Sequence, residues 1–72
     1  MSGSWRLKQL RTMHNLTQQD VSARLNIPVG RYRNYESGKC RIPLGIFEEI
    51  CTLYGVSMDY LAGRTNNPDL LR

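Results

Sequence analysis

The run Leu16-Thr-Gln-Gln-Asp-Val-Ser-Ala-Arg-Leu-Asn-Ile-Pro-Val-Gly-Arg-Tyr-Arg-Asn-Tyr-Glu-Ser-Gly38 decides the fold. Thr17 stands where a helix N-cap belongs. Asp20 follows three residues on, the spacing of a capping box. Leu16 before the cap and Val21 after it have the spacing of a hydrophobic staple. This helix runs to Leu25, with Val21, Ser22 and Leu25 turned inward. Asn26 tolerates a left-handed backbone and ends the helix almost as glycine does. Pro28 suits the first position of a second helix, where its missing N–H does no harm. Ile27, Tyr32 and Tyr35 face inward from that helix, and Gly38 closes it. Its other positions include Arg31, Arg33 and Asn34, with Glu36 the one acid. Two short helices set at an angle by a tight turn can offer the second to a DNA groove. The run therefore points to binding, not catalysis.

The flanking sequence adds three more helices. Ser4 is expected to cap a helix over residues 5–13, with Leu7 and Leu10 on one face and Arg6, Lys8 and Gln9 pointing elsewhere. His14-Asn15 is a break. Lys39-Cys-Arg-Ile42 is a loop, and Pro43 starts a helix that runs to about Tyr54. Leu44, Phe47, Ile50, Cys51 and Tyr54 recur there at spacings of three and four, which marks an inward face. Gly55 stops this helix. Ser57 caps a short last one over Met58–Ala62, which Gly63 ends. The expected architecture is all-α and compact, with five short helices in one domain over residues 5–63. Residues 1–4 form a flexible arm and 64–72 a loose tail.

Seventy-two residues bury a modest core and leave little room for an elaborate active site. The net charge of +4 is unevenly placed. Residues 1–41 hold eight Lys or Arg against two acids, and residues 42–72 hold two against four. A basic half opposite an acidic half suggests a polyanion-binding face, although a solvated basic surface has the same composition. Cys40 and Cys51 lack the companions that a zinc site or a disulfide framework needs, and His14 is the one histidine. Both cysteines read as free thiols, which fits a reducing, cytoplasmic setting. No metal or cofactor is expected. No apolar run approaches the ~20 residues of a membrane span. No nucleophile–base pair or phosphate-cradling glycine loop supports an enzyme.

Four short motifs then fall in order. Leu16-Thr-Gln-Gln-Asp-Val21 resembles the LTQxxLA opening of the Cro/lambda-repressor-like (XRE) helix-turn-helix family. Tyr35-Glu-Ser-Gly-Lys39 resembles its (W/Y)ExGK signature. Ile42-Pro-Leu44 and Gly55-Val-Ser-Met-Asp-Tyr-Leu-Ala-Gly-Arg-Thr65 are similar to its closing segment. Each motif alone is weak, but four collinear over residues 6–65 are strong. The resemblance implies a five-helix lambda-repressor-like domain whose helix at 28–37 enters the major groove. It further implies that Val29, Gly30, Arg33 and Asn34 face bases and that Arg31 stands at the groove edge. Gln18, Ser37, Lys39, Arg41 and the main-chain N–H of Gly45 would meet phosphates. Arg11 and Glu36 match a structural pair. The sequence departs from the family pattern at Val29 and Gly30, where polar readers are common. Specificity would thus shift to Arg31, Arg33 and Asn34, since Arg can pair bidentately with guanine and Asn with adenine.

Plainer roles compete at several positions. Arg31 and Arg33 could be a solvated face. Tyr32 and Tyr35 fit core packing better than base stacking. Gln19 reads as a helix former, and His14 is given no role. Trp5 fits either a plug onto the core or an exposed position. The resemblance also implies a homodimer on a roughly palindromic operator, with Tyr54, Met58, Tyr60, Leu61, Leu70 and Leu71 as contacts. Leu70 and Leu71 fit a frayed end equally well. The resulting expectation is a sequence-specific double-stranded DNA-binding transcriptional regulator, a repressor. The alternative is an antitoxin or protein-interaction module that mainly binds a toxin or other partner protein.

Overall fold

The structure is a computed structural model and describes residues 4–67. Every regular element among them is helical: α1 (Ser4–Met13), α2 (Gln18–Leu25), α3 (Val29–Ser37), α4 (Leu44–Tyr54) and α5 (Met58–Leu61). The helix ends follow local chemistry. Thr17 Oγ1 accepts from the Asp20 N–H at 3.0 Å, and an Asp20 carboxylate oxygen accepts from the Thr17 N–H at 2.9 Å. This is the reciprocal capping box, and it also holds the Asp20 carboxyl below its ordinary pKa. Asn26 ends α2 in the left-handed conformation (φ 60°), and Asn15 makes the preceding break the same way (φ 56°). Gly38 (φ 80°) and Gly55 (φ 67°) end α3 and α4, where a side chain would be strained.

Two helix starts lie one residue later than the sequence suggested. Pro28 and Pro43 are N-caps with extended ψ of 143° and 150°, so the reading helix is Val29–Ser37. The fixed proline φ of about −65° suits either side of a helix boundary, and here ψ places both rings just outside. Conversely, α1 already includes Ser4, so Ser4 does not stand outside it as a cap, and α5 ends at Leu61 with Ala62 as its C-cap.

The core is built from Leu7, Leu10, Val21, Leu25, Tyr32, Tyr35, Ile50, Cys51, Tyr54, Val56, Tyr60 and Leu61. α3 packs on both α1 and α2, while α4 packs on α2 and α5. One face of α3 is thereby fixed and the other left to solvent. Burial pushes the Cys51 thiol up to about 11, so it is an inert core thiol. Three expectations need correction. Leu44 is 65% exposed and does not face the core: its spacing matches the inward stripe, but among the described residues no element lies over it. Arg6 is buried instead of pointing outward. Its guanidinium carbon lies 4.1 Å from the Trp5 ring centroid and 4.0 Å from that of Tyr60. Two aromatic faces hold this cation, which ties the start of α1 to α5. Trp5 itself stays half in solvent with its indole against Gly63. Lastly, Tyr54, Tyr60 and Leu61 lie in the chain's own core and have little surface to give a second subunit.

Candidate nucleic-acid interface

The site grows from one buried carboxylate. Glu36, on the last turn of α3, has a side chain only 5% exposed. Arg11 on α1 donates to it twice, Nε to Oε2 at 2.6 Å and Nη2 to Oε1 at 3.3 Å. The remaining Arg11 Nη1 donates to the Leu16 carbonyl at 2.9 Å, which fixes the α1–α2 connection as well. Tyr32 Oη donates to Oε2 at 2.7 Å, and Gln18 Nε2 donates to Oε1 at 3.1 Å. Burial alone pushes the Glu36 carboxyl up, but the hydrogen bonds from Arg11, Tyr32 and Gln18 outweigh it, and the net shift is down. Arg11, bonded to Glu36, is raised correspondingly. The single acid of α3 is thus neutralised from within. The charges left on the outer surface of that helix are basic.

Gln18, at the first position of α2, looks both ways. Its amide nitrogen faces Glu36, and its Oε1 accepts from Arg33 Nε at 3.2 Å. Arg31 and Arg33 are exposed, Asn34 is half-buried, and Gly30 stands open with nothing near a Cβ position. Gly30→Ala should therefore stabilise the domain by about 0.5 kcal/mol, because alanine loses less backbone entropy and meets no clash. A rise in the urea midpoint at unchanged m-value checks this.

An open cleft of about 700 Å³ gathers Gln18, Arg33, Asn34, Ser37 and Lys39, together with Gly38, Glu36 and Lys8. Lys8 was missed by sequence reasoning. The signal was its place three residues before Arg11 on one helix, which puts both on the side that meets α3. Ser37 Oγ donates to the Asn34 carbonyl at 3.2 Å and accepts from the Lys39 N–H at 3.4 Å, shaping the turn into the basic loop. Arg41 is exposed on that loop, outside the cleft. Gly45 lies elsewhere, in a depression with Arg24, Glu48 and Glu49. Val29 is half-buried at the start of α3. Of the expected dimer contacts, Met58 is exposed, whereas Leu70 and Leu71 lie outside the described residues. His14, given no functional role, is exposed, with its ring 5.0 Å from that of Tyr54 and its Nδ1 2.9 Å from the Leu10 carbonyl.

A capped α2, a left-handed Asn26 and a basic α3 braced from behind define a helix-turn-helix protein. The helix-turn-helix family matches residues 7–61, and the chain belongs to the Cro/lambda-repressor-like branch, a family of DNA-binding transcriptional regulators. A relative from Bacillus subtilis, the uncharacterized HTH-type transcriptional regulator YobD, is 38% identical over 64 residues. The match covers 89% of this chain and 57% of the relative, so the chain spans little more than half of that protein's length. Among the described residues, no helix is long and apolar enough to cross a membrane.

Proposed function

We propose that the domain is a transcriptional repressor that binds double-stranded DNA by laying α3 in the major groove. The observation that carries this is the face of α3: Arg31, Arg33 and Asn34 line it, while its one carboxylate is consumed by Arg11 behind. Arg33 and Asn34 read base edges, Arg31 works at the groove edge, and Val29 offers a methyl contact to thymine. Gly30 allows close approach and reads nothing. Lys8, Ser37, Lys39 and Arg41 hold phosphates, as does the Gly45 N–H at the start of α4, where Pro43 provides no side-chain cap. Working on the chromosome, the protein acts in the cytoplasm.

Fluorescence anisotropy on DNA duplexes at several salt concentrations tests the reading. Lys39→Ala should weaken all sequences about equally and reduce the salt slope by about one unit. Binding that ignores salt contradicts it.

The domain works as a homodimer on a roughly palindromic operator, with half-sites about one DNA turn apart. Support comes from an apolar face formed by Ile42, Leu44, Phe47, Met58 and Ala62, rimmed by the exposed Asp59–Arg64 pair. Leu44→Glu should leave the fold intact, since the residue is exposed, and weaken cooperative binding to a paired site. Sedimentation with and without operator DNA checks this. The competing reading, an antitoxin-like module for a partner protein, draws on the same apolar face and needs no operator preference.

A further inference from the structure

We infer that Glu36 and Gln18 form a relay that sets the orientation of Arg33, making Glu36 a positioning residue for base specificity. This rests on the proposal that Arg33 reads a base. A carboxylate can only accept hydrogen bonds, so the Gln18 group facing Glu36 Oε1 has to be the NH₂. The Gln18 carbonyl oxygen is thereby turned outward, toward Arg33 Nε at 3.2 Å. An outward NH₂ in its place would set donor against donor at that nitrogen. The identity of residue 36, whose side chain is only 5% exposed at the back of the cleft, thus decides whether the guanidinium is held or released.

The relay is anchored at its inner end. Arg11 and Tyr32 occupy the other directions around the carboxylate, at 2.6 and 2.7 Å for their shortest bonds. The chain of contacts runs from α1 through α3 to α2 and back to the exposed side of α3. Each link uses a group whose donor or acceptor role is fixed by the one before it. With Nε engaged, rotation about the end of the Arg33 side chain is restricted, and the terminal nitrogens hold one plane. A bidentate pair with a base needs such a plane, so pre-setting it favours the matching base over the others.

The test uses duplexes recovered from a random pool by the unmodified chain, with the Arg33-dependent base pair replaced by each alternative. Competition binding then gives the preference ratio for the unmodified chain and for Arg33→Ala, Gln18→Met, Glu36→Gln and the double variant Gln18→Met/Arg33→Ala. Gln18→Met and Glu36→Gln should each lower the preference at that base pair about fivefold. The double variant should fall no further than Arg33→Ala alone. Partial unfolding of any variant scales all duplexes equally and cannot change the ratio. The relay is overturned if Gln18→Met and Glu36→Gln weaken every duplex equally, with the preference intact, while Arg33→Ala abolishes it. If Arg33→Ala itself leaves every base preference unchanged, the base-reading role fails, and the relay with it.

Discussion

Arg11→Met is expected to lower the stability of the domain by about 3 kcal/mol at neutral pH, because it strands a buried carboxylate with neutral donors only. Among the described residues, Arg11 is the one cation bonded to Glu36 and makes two of the four hydrogen bonds that reach it. Methionine fills similar volume, so the loss comes mainly from charge and hydrogen bonding. For a domain of this size such a loss moves the thermal midpoint down by on the order of 15 °C. The deficit should also depend on pH. The Glu36 carboxyl is held below its ordinary pKa in the folded protein, so its contribution is fully present above the unfolded value. That contribution fades as the pH falls through the lower folded value. In Arg11→Met the leading opposing hydrogen bond is gone, and burial pushes the same carboxyl up. The gap between the two proteins is therefore widest near pH 7 and closes as the pH falls through the ordinary carboxylate range and below it. Thermal unfolding of both proteins across that range measures it. A gap independent of pH would mean that lost packing, not the buried charge, carries the effect.

Arg33→Ala should cost about 1–3 kcal/mol of discrimination at one base pair, between about fivefold and 150-fold in relative affinity. The guanidinium is exposed on α3, with Nε bonded to Gln18, and its terminal nitrogens have the fork geometry that matches the two acceptors of guanine. The loss is expected to be confined to one base pair. Lys39→Ala gives the opposite pattern, a uniform weakening, because a phosphate contact carries no sequence information. Comparing the two variants on one panel of duplexes separates reading from gripping. Uniform weakening by Arg33→Ala would move Arg33 to the backbone-binding group.

The parts of this molecule that were legible from sequence are those whose cause is local. The Thr17–Asp20 box, the left-handed Asn26 and the glycines at 38 and 55 each act within a turn of the chain, so their residue types announce them. The inward tyrosines of α3 followed from periodicity, and the Arg11–Glu36 pairing came with the family motifs. What was not legible depends on residues distant in sequence. Arg6 reads as an ordinary surface cation until the rings of Trp5 and Tyr60 are seen against its guanidinium. Leu44 sits on the apolar stripe of α4, but periodicity identifies a face without saying whether anything covers it. The bonds of Gln18 to Glu36 and Arg33 were equally hidden, because they join residues separated by 18 and 15 positions. Tyr60 and Leu61 looked available for a dimer for the same reason: nothing local reveals that the core takes them.

If α3 reads base sequence in double-stranded DNA, the protein must select particular duplexes and must lose part of that selection when α3 is altered. Selection of bound duplexes from a random pool, carried out in parallel with the unmodified chain and Arg33→Ala, tests this most directly. One short enriched motif is expected, arranged as two inverted half-sites, in which Arg33→Ala loses the preference at one symmetric pair of positions and keeps the rest. A pool that shows no enrichment, or an enriched motif that Arg33→Ala, Arg31→Ala and Asn34→Ala all leave unchanged, would contradict base reading by α3.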